Sequence, residues 1–386
     1  MRFFTAGESH GPQLTGIIEG VPSNLPLTAD DINIHLARRM KGYGRGGRMK
    51  IEKDQVLIRS GVRFSKTFGA PITLVIENKD WENWLERMKI EGDGSSITKI
   101  TVPRPGHADL VGYKKYQFDD IRPVIERSSA RETAMRVAMG SVSRQLLKEV
   151  GIEIGSHIVA LETIGYPGLE APAGLLEPLV AQGGEHLWKT ADLSEVRCLD
   201  KTLEAAMITR IDEAKEAGDT LGGIFEIIVT GVPEGLGTYV QYDRKLDAQL
   251  AAAIVSIPAV KGVEIGYGFA NAQRPGSRVH DPIVWTGSAY SRTSNRAGGT
   301  EGSMTTGMPL IIRGAMKPIP TLIDALPSVD IRTNEPIKAR VERSDVCALP
   351  AASVVGESVV ATVIANALLE KFGGDSLGEL KSRMGR

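Results

Sequence analysis

The feature that most constrains the fold is a pair of long segments, residues 129–150 and 352–371, in which most side chains are small or apolar. Their apolar residues continue around most of a helical circumference instead of forming one stripe. A helix of this kind is buried on nearly all sides, and its small residues let neighbouring backbones approach closely. The sequence therefore predicts two core helices that other layers must cover.

Short β-branched runs between glycines and prolines predict strands for the covering layers. These runs occupy residues 14–19, 55–60, 72–77, 224–230 and 310–313. A helix is predicted at residues 28–40, where Thr28 and Asp31 form a capping-box pattern. A second helix is predicted at residues 201–217, because Gly218 follows this segment and glycine commonly ends a helix.

Three tripeptide patterns occur twice in the same order, which suggests an internal duplication. They are Gly-Val-Pro at 20–22 and 231–233, Gly-x-Pro at 69–71 and 307–309, and Glu-Arg-Ser at 126–128 and 342–344. Tripeptides also match by chance, so a chain without duplication stays an open alternative. A real duplication predicts two equivalent halves whose sheets cover a shared layer of long helices.

Length and composition exclude several classes of protein. At about 150 residues per domain, 386 residues allow two or three domains or one large one, and no Ser-, Gly- or Pro-rich linker divides the chain. The net charge of -1 gives no overall attraction to nucleic acid or membranes. Two cysteines cannot form a disulfide framework, and we expect neither a signal peptide nor an uninterrupted membrane span. We therefore expect a protein of the reducing cytoplasm.

The first candidate site is the loop GESHG at residues 7–11. As G-x-S-x-G it matches the serine-hydrolase elbow, which needs a strand before the serine and a helix after it. Few residues precede Gly7, however, and a strand is predicted beyond Pro12. The pattern favours a flexible loop whose Ser9 and His10 bind an anion and move protons near neutral pH. A surface turn with an incidental histidine stays open.

The second candidate is the basic stretch from Arg38 to Arg63, in which only Glu52 and Asp54 are acidic. Its cations alternate with glycines in GYGRGGR (42–48). Glycine lets a backbone approach a ligand closely, and arginine binds phosphate or carboxylate through paired hydrogen bonds. A small anionic ligand is favoured over nucleic acid, because aromatic residues for base stacking are few.

The third candidate comprises two related segments, ERSSARE (126–132) and ERSD (342–345), each leading into a buried helix. A helix N-terminus binds phosphate, so we predict that both segments meet at one anion pocket. RPGHAD (104–109) adds a second histidine beside an arginine. Capping serines with surface salt bridges are the alternative for either segment alone. With no metal-ligand spacing and no GxGxxG after a strand, we expect no metal and no Rossmann site.

The residues alone indicate an enzyme for a multiply anionic small molecule, with two histidines and an aspartate for proton transfer. Longer blocks make the interpretation specific. They are GESHGPQLTGIIEGVP (7–22), RRMKGYGRGGRM (38–49), RPGHADL (104–110), ERSSARETAMRVAMGSV (126–142), KPIPT (317–321), SVDIRT (328–333) and RSDVCALPAASVVGESV (343–359). In order and spacing they resemble the chorismate synthase family over essentially the whole chain.

The resemblance implies an α+β fold, with a single β-α-β sandwich domain over residues 1–386 and long buried helices between antiparallel sheets. It also implies a homotetramer that binds neither nucleic acid nor membranes. The implied activity is that of a lyase of aromatic amino acid biosynthesis, which eliminates phosphate and a ring hydrogen in a 1,4 sense from 5-enolpyruvylshikimate 3-phosphate. This reaction gives chorismate and requires reduced FMN without net redox change. The substrate carries about four negative charges, which suits an arginine-rich site.

The resemblance also assigns catalytic roles. His10 protonates the departing phosphate, His107 lies by the flavin, and Asp345 accepts the ring hydrogen as a proton. Ser9 and Ser129 assist by hydrogen bonding. The arginines that can compensate the charge of the substrate are Arg45, Arg48, Arg104, Arg131 and Arg343.

The flavin-binding positions implied by the resemblance are Arg127, Ser128, Ser129, Ala259, Gly302, Lys317, Pro318, Ile319, Pro320, Thr321 and Arg343. Pro258 stands where this family often has Asn. The side chain of Asn can form a hydrogen bond to the flavin, and the side chain of proline cannot. Arg39 and Arg45 stand where an NADPH contact is expected, and self-reduction of the flavin stays open beside an external reductant.

Two other functions stay open. One is a serine hydrolase built on Gly7, Ser9 and Gly11, which a fluorophosphonate would label covalently. The other is an RNA-binding module built on the stretch from Arg38 to Arg63, whose affinity would fall steeply with salt.

Overall fold

The computed structural model describes residues 1–47, 52–342 and 344–386, in which two antiparallel sheets enclose long helices. The strands are β1 (Arg2–Ala6), β2 (Gln13–Glu19), β3 (Val56–Ile58), β4 (Val62–Arg63), β5 (Lys66–Thr67), β6 (Ile72–Glu77), β7 (Glu153–Leu161), β8 (Ile164–Gly165), β9 (Gly223–Thr230), β10 (Val260–Ile265), β11 (Ile283–Trp285), β12 (Tyr290–Arg292), β13 (Thr300–Glu301), β14 (Met304–Thr305), β15 (Leu310–Met316), β16 (Pro327–Val329) and β17 (Pro336–Lys338). One sheet has the order β1-β2-β6-β3 and the other β10-β15-β9-β7-β8. The remaining strands form two-stranded hairpins.

The α-helices of the described residues are α1 (Ala29–Met40), α2 (Asp109–Tyr116), α3 (Arg122–Ser128), α4 (Thr133–Lys148), α5 (Ala173–Ala181), α6 (Gly184–Ala191), α7 (Lys201–Glu216), α8 (Leu246–Val255), α9 (Gly268–Ala272), α10 (Leu349–Phe372) and α11 (Leu377–Arg383). Short 3-10 helices occupy Lys79–Asn83, Ala130–Glu132, Pro167–Leu169, Tyr242–Arg244 and Gly276–Arg278.

The long helices α4 and α10 form the middle of the sandwich. Helix α4 packs on β2 and β6, helix α10 packs on β7 and β9, and the two helices pack on each other. Two glycines allow this close approach. A Cβ at Gly140 of α4 would lie 2.4 Å from the carbonyl oxygen of Ser358, and a Cβ at Gly356 of α10 would lie 2.7 Å from Ile227 of β9. The predicted α+β sandwich with buried helices is confirmed.

Most predicted elements are also confirmed. The Thr28 hydroxyl accepts from the Asp31 N–H (3.3 Å) and the Thr28 N–H donates back to the Asp31 carboxylate (2.7 Å), so α1 begins with the predicted capping box. Strand β6 has the predicted bounds, whereas β3 is shorter and β15 longer than predicted. Both long helices begin elsewhere than expected. Helix α4 starts at Thr133 because residues 130–132 form a 3-10 turn, and α10 starts earlier, at Leu349.

The two halves of the chain share one topology. Strands and helices follow as β1-β2-α1-β3-β6-α4 and again as β7-β9-α8-β10-β15-α10, with matching strand orders in the two sheets. Even a turn contact is repeated. The Thr67 hydroxyl donates to the carbonyl of Pro22 (2.6 Å), and the Thr305 hydroxyl donates to the carbonyl of Pro233 (2.6 Å). These repeats support the internal duplication.

Helix α10 is, among the described residues, the one helix long and apolar enough by length and composition to cross a membrane. Here it is a core helix, and 83% of its most apolar window is buried in the protein. At its centre the buried Glu357 carboxylate accepts from Arg38 (2.7 and 2.8 Å), Arg144 (2.9 Å) and Arg197 (3.1 Å). Burial alone would raise the pKa of Glu357, but these three guanidinium groups outweigh it and hold that pKa far below its usual value.

Candidate functional site

A cleft of about 430 Å³ opens where the two halves of the chain meet. A second lobe of about 380 Å³ shares Thr321, Glu342 and Asp345 with it. Most of the described candidate residues line the cleft, and both helix-leading segments contribute to it, as predicted. The candidate residues in the lining are Arg39, Arg45, Arg104, His107, Ser128, Ser129, Arg131, Pro258, Ala259, Lys317, Ile319, Pro320, Thr321 and Asp345.

Other candidate residues do not line the cleft. These are Ser9, His10, Arg127, Gly302 and Pro318. Arg127 binds the carbonyls of Thr5 and Gly7 (2.9 and 3.1 Å), and Gly302 lies in the exposed turn between β13 and β14. Arg48 and Arg343 lie outside the described residues.

The glycine-containing loop packs on the segment that leads into α10. The Gly46 N–H donates to Oδ1 of Asp345 (2.6 Å), and Nε of Arg45 forms an ion pair with its Oδ2 (3.0 Å). A Cβ at Gly46 would lie 2.8 Å from the Ser344 carbonyl oxygen, so glycine permits approach to the protein's own backbone here. Because α10 begins only at Leu349, Asp345 is not its N-cap, and its carboxylate faces the cleft lining instead.

Two buried arginines form the inner end of the cleft. Nη1 of Arg131 donates to Asp54 (2.5 Å) and its Nε donates to Asn78 (2.9 Å), while Nε of Arg39 donates to Thr133 (3.0 Å). Burial lowers the pKa of Arg39 to about 10. Nη1 of Arg39 lies 3.6 Å from Asp54 and Nη2 of Arg131 lies 3.7 Å from Glu52, which are ion-pair distances too long for a hydrogen bond. Both guanidinium groups therefore already face buried carboxylates, and they contribute to the cleft as cations in its lining. Arg38 and Arg39 are buried (3% and 4% exposed), so these two arginines of the basic stretch do not belong to a solvated nucleic-acid surface.

His107 belongs to a network with Arg104 and Asp109. Nδ1 of His107 and Nε of Arg104 both bond to the buried Asp109 carboxylate (2.5 and 2.9 Å), and Nη1 of Arg104 donates to Thr321 (3.1 Å). Burial alone would raise the pKa of Asp109, but the hydrogen bonds from His107 and Arg104 outweigh it and lower that pKa strongly. Asp109 was missed in the sequence, although it stands two residues after His107 in the RPGHAD segment.

The loop that carries His10 lies beside the cleft. The Ser129 hydroxyl, which lines the cleft, donates to the Ser9 hydroxyl (3.1 Å). Nδ1 of His10 lies 2.9 Å from Oε1 of Glu126, and the imidazole stacks on Trp84 with ring centroids 3.8 Å apart. The serine-hydrolase interpretation is not supported, because the loop joins strands β1 and β2 and no helix follows the serine. Glu126 and Trp84 were both missed, although Glu126 begins the ERSSARE block.

The predicted anion cradle at a helix N-terminus needs correction. Arg127 and Ser128 lie at the C-terminal end of α3, and Ser129 caps the 3-10 turn at Ala130–Glu132, accepting from the Arg131 N–H (3.2 Å). The anion-binding groups therefore lie at the break between α3 and α4.

The wall opposite these arginines combines one cation with apolar residues. Nζ of Lys317 donates to the Gly106 carbonyl (2.8 Å), and burial lowers the pKa of Lys317. Lys317 has no carboxylate partner among the described residues, so an anionic ligand would supply its counter-charge. Ile319 and Pro320 continue the wall, and Ala259 holds the left-handed φ of 67° while its carbonyl accepts from the Lys317 N–H (2.9 Å). A phosphate and a planar ring such as those of FMN fit these residues.

No group of three or more His, Cys, Asp or Glu side chains within the described part of the chain could hold a metal ion.

Comparison with known proteins gives one consistent result. The family model described as "Chorismate synthase" matches residues 1–369. The chorismate synthase of Chlorobaculum tepidum is 58% identical over 386 residues, covering 100% of this chain and 96% of the relative. That of Enterococcus faecalis is 56% identical over 390 residues, covering 100% and 98%. A crystal structure of chorismate synthase matches with a TM-score of 0.80 and 43% identity, covering 100% of this chain and 96% of the other.

Proposed function

The chain belongs to the chorismate synthase family of lyases, and we propose that its two-lobed cleft binds 5-enolpyruvylshikimate 3-phosphate together with reduced FMN. There the enzyme eliminates phosphate and a ring hydrogen in a 1,4 sense to give chorismate, without net redox change. One observation carries the proposal: the predicted arginine-rich segments line one cleft together with His107 and Asp345, which come from different halves of the chain.

The charges of the cleft suit the substrate. With one phosphate and two carboxylates, the substrate needs several cationic partners when it leaves water. Four arginines supply positive charge to the lining of one cleft: Arg39, Arg45, Arg104 and Arg131. Buried carboxylates hold two of them, Arg39 and Arg131, in place. Arginine also stabilises the charge that builds on a departing phosphate. For Arg48 and Arg343, the assignment to the substrate rests on the family resemblance.

The flavin would occupy the wall formed by Lys317 and the residues after it. Reduced FMN supplies an electron-rich ring that promotes loss of the phosphate. Lys317 would neutralise an anionic group of the flavin, and Ile319 and Pro320 would cover its planar ring. Ser128, Ser129, Ala259 and Thr321 line the same space. For Arg127, Gly302 and Pro318, which lie outside the lining, the flavin assignment comes from the resemblance.

Proton transfer would use residues on either side of the cleft. We assign protonation of the departing phosphate to His10, whose loop is tied to Ser129 through Ser9. Asp345 would take the ring proton, and the Gly46 N–H and Arg45 hold its carboxylate in place. His107 would act beside the flavin, oriented by its hydrogen bond to Asp109.

The assembly and location of the enzyme are also proposals. Exposed apolar side chains on β1, β2 and the β11–β12 hairpin, such as Phe4 (68% exposed) and Tyr290 (68% exposed), support a homotetramer. We further propose a single domain over residues 1–386, a cytoplasmic location, no binding of nucleic acid or membranes, and NADPH as a reductant that contacts Arg39 and Arg45.

The test measures product formation and flavin binding on the purified protein. Under anaerobic conditions with chemically reduced FMN, the protein should convert 5-enolpyruvylshikimate 3-phosphate to chorismate and free phosphate. The dissociation constant of oxidised FMN, read from flavin fluorescence, should fall strongly when this substrate is present. Shikimate 3-phosphate, which lacks the enolpyruvyl group, is the control ligand. Failure to form chorismate would refute the proposed reaction. An FMN dissociation constant that does not change when the substrate is added would refute the proposal that both ligands bind in one cleft.

A further inference from the structure

We propose that Glu126 is a positioning residue for His10: its buried carboxylate holds Nδ1 of the imidazole, so that Nε2 is the nitrogen that exchanges the proton with the departing phosphate. This inference rests on the catalytic role proposed for His10. It adds a residue on α3 that does not line the cleft.

The Glu126 carboxylate receives its hydrogen bonds from three directions. Nδ1 of His10 lies 2.9 and 3.1 Å from its two oxygens, and the backbone N–H of His10 donates to Oε2 (2.7 Å). Nη1 of Arg122, one helical turn earlier, donates to Oε1 (3.1 Å). The backbone of Glu126 contributes as well, since its carbonyl accepts from the Ser9 N–H (3.1 Å). One fully buried residue therefore fixes both the loop and the ring that it carries.

The face of the imidazole is fixed separately. Trp84 stacks on it with an interplanar angle of 23°, and Nε1 of Trp84 donates to the buried Asp80 (3.0 Å). The guanidinium groups of Arg87 and Arg122 lie 5.4 and 5.0 Å from the Trp84 ring. Edge and face contacts together leave the ring little freedom to rotate, and His10 is still 17% exposed.

The charge state of Glu126 decides which ring nitrogen carries hydrogen. Burial alone would raise the pKa of this carboxyl, but the hydrogen bond and charge of His10 outweigh burial and lower it. An ionised carboxylate only accepts hydrogen bonds, so Nδ1 of His10 must be the donor. Proton exchange with a ligand then occurs at Nε2, because the bond made by one ring nitrogen sets the role of the other.

Kinetics of Glu126→Gln provide the first test. A glutamine has nearly the same shape but can present its NH₂ group to Nδ1, which favours the opposite tautomer. We expect kcat to fall about 10- to 100-fold, by analogy with removal of the group that orients a metal-bound histidine, and the KM for the substrate to change less than about twofold. The matched control is Glu132→Gln, because Glu132 also pairs with an arginine one turn away, Arg136, but does not touch His10.

A double-mutant cycle separates positioning from stability. If Glu126 acts through His10, Glu126→Gln should cause no further loss of kcat in a His10→Ala background. Losses that multiply would overturn the proposal. Near-normal turnover of His10→Ala would overturn the proposed role of His10 itself, and with it the reason for positioning that ring.

The last test does not depend on enzymatic activity. The chain has six histidines, so ¹⁵N-histidine labelling gives a small set of ring signals, and the His10 signals are assigned by their absence in His10→Ala. Wild-type protein should show His10 with hydrogen on Nδ1 whenever the ring is neutral, and Glu126→Gln should shift the population toward hydrogen on Nε2. A wild-type ring with hydrogen on Nε2 alone would overturn the proposal, whatever the kinetics show.

Discussion

Replacing Glu357 by glutamine tests how the core of the sandwich is held together. The carboxylate accepts hydrogen bonds from Arg38, Arg144 and Arg197 and from the Ser156 hydroxyl (2.6 Å). Asp192 is the other acidic group of the cluster, paired with Arg38 (2.8 Å) and Arg197. Three arginines against two carboxylates give a net charge of +1, and Glu357→Gln raises it to +2 inside the core.

The expected loss follows from the burial of the cluster. Removing one partner of a buried ion pair costs about 3–5 kcal/mol, because the remaining charges stay buried without compensation. The amide of glutamine also places N–H groups opposite guanidinium N–H groups. An unfolding entropy of about 2.1 cal/mol/K per residue gives about 0.8 kcal/mol/K for 386 residues, so the melting temperature should fall by about 4–6 °C.

The assay is thermal unfolding followed by circular dichroism near neutral pH. The control is Glu149→Gln, because Glu149 forms a more exposed pair with Lys381 (2.7 Å) whose loss should cost at most about 1 kcal/mol. If Glu357→Gln and the control melt within about 1 °C of each other, the reasoning is refuted, since the arginines would then be stable without their carboxylate.

Three further predictions concern proton transfer, flavin binding and acid stability. Asp345→Asn should lower turnover by about 10²–10⁴-fold at saturating reduced FMN, because an amide cannot accept the ring proton. Turnover within about threefold of wild type would reject the role. Lys317→Met should raise the FMN dissociation constant about tenfold or more in a fluorescence titration, whereas an unchanged constant would place the flavin elsewhere. The pKa of His35 is held well below 6.5, first by burial and then by Arg144 and Arg38. Below about pH 6.5, His35 therefore binds a proton in the unfolded chain but stays neutral in the folded chain. Stability should therefore fall by about 1.4 kcal/mol per pH unit below that point, and His35→Gln should flatten this slope in urea unfolding; an equal slope in both proteins would contradict it.

The helices and strands that local patterns indicated were mostly confirmed, but elements such as β7, β10 and α8 were not predicted. Contacts between residues distant in sequence were harder to predict. The capping box of Thr28 and Asp31 and the apolar circumference of α10 are properties of neighbouring residues, so the sequence displays them. The partner of His10 is 116 residues away in Glu126, and no spacing rule connects them. The same holds for Glu357, whose hydrogen-bond donors come from four separate elements or loops.

The candidate site shows the same division. The shared Glu-Arg-Ser pattern predicted that two segments meet, and the cleft contains both of them. The helix starts were misplaced, because the candidate residues lie in a 3-10 turn before α4 and in an irregular segment before α10. Glycines of the segment 42–48 were predicted to let a ligand approach closely, and Gly46 and Gly47 do line the cleft. The sequence did not show that Gly46 also packs against the Ser344 carbonyl of the protein itself. Such packing depends on which segments become neighbours after folding.

The repeated topology bears on how such an active site could arise. Ser129 and Asp345 follow the same Glu-Arg-Ser tripeptide in the two halves, and both line the cleft. Two identical half-length chains paired across this cleft would carry the same group on both walls. Joining the copies in one gene removes that symmetry, because each wall then mutates independently. A reaction that needs a proton donor at one end of its substrate and a proton acceptor at the other requires different side chains on the two walls of the cleft. Fusion of the two copies in one gene allows such a difference to be encoded and inherited.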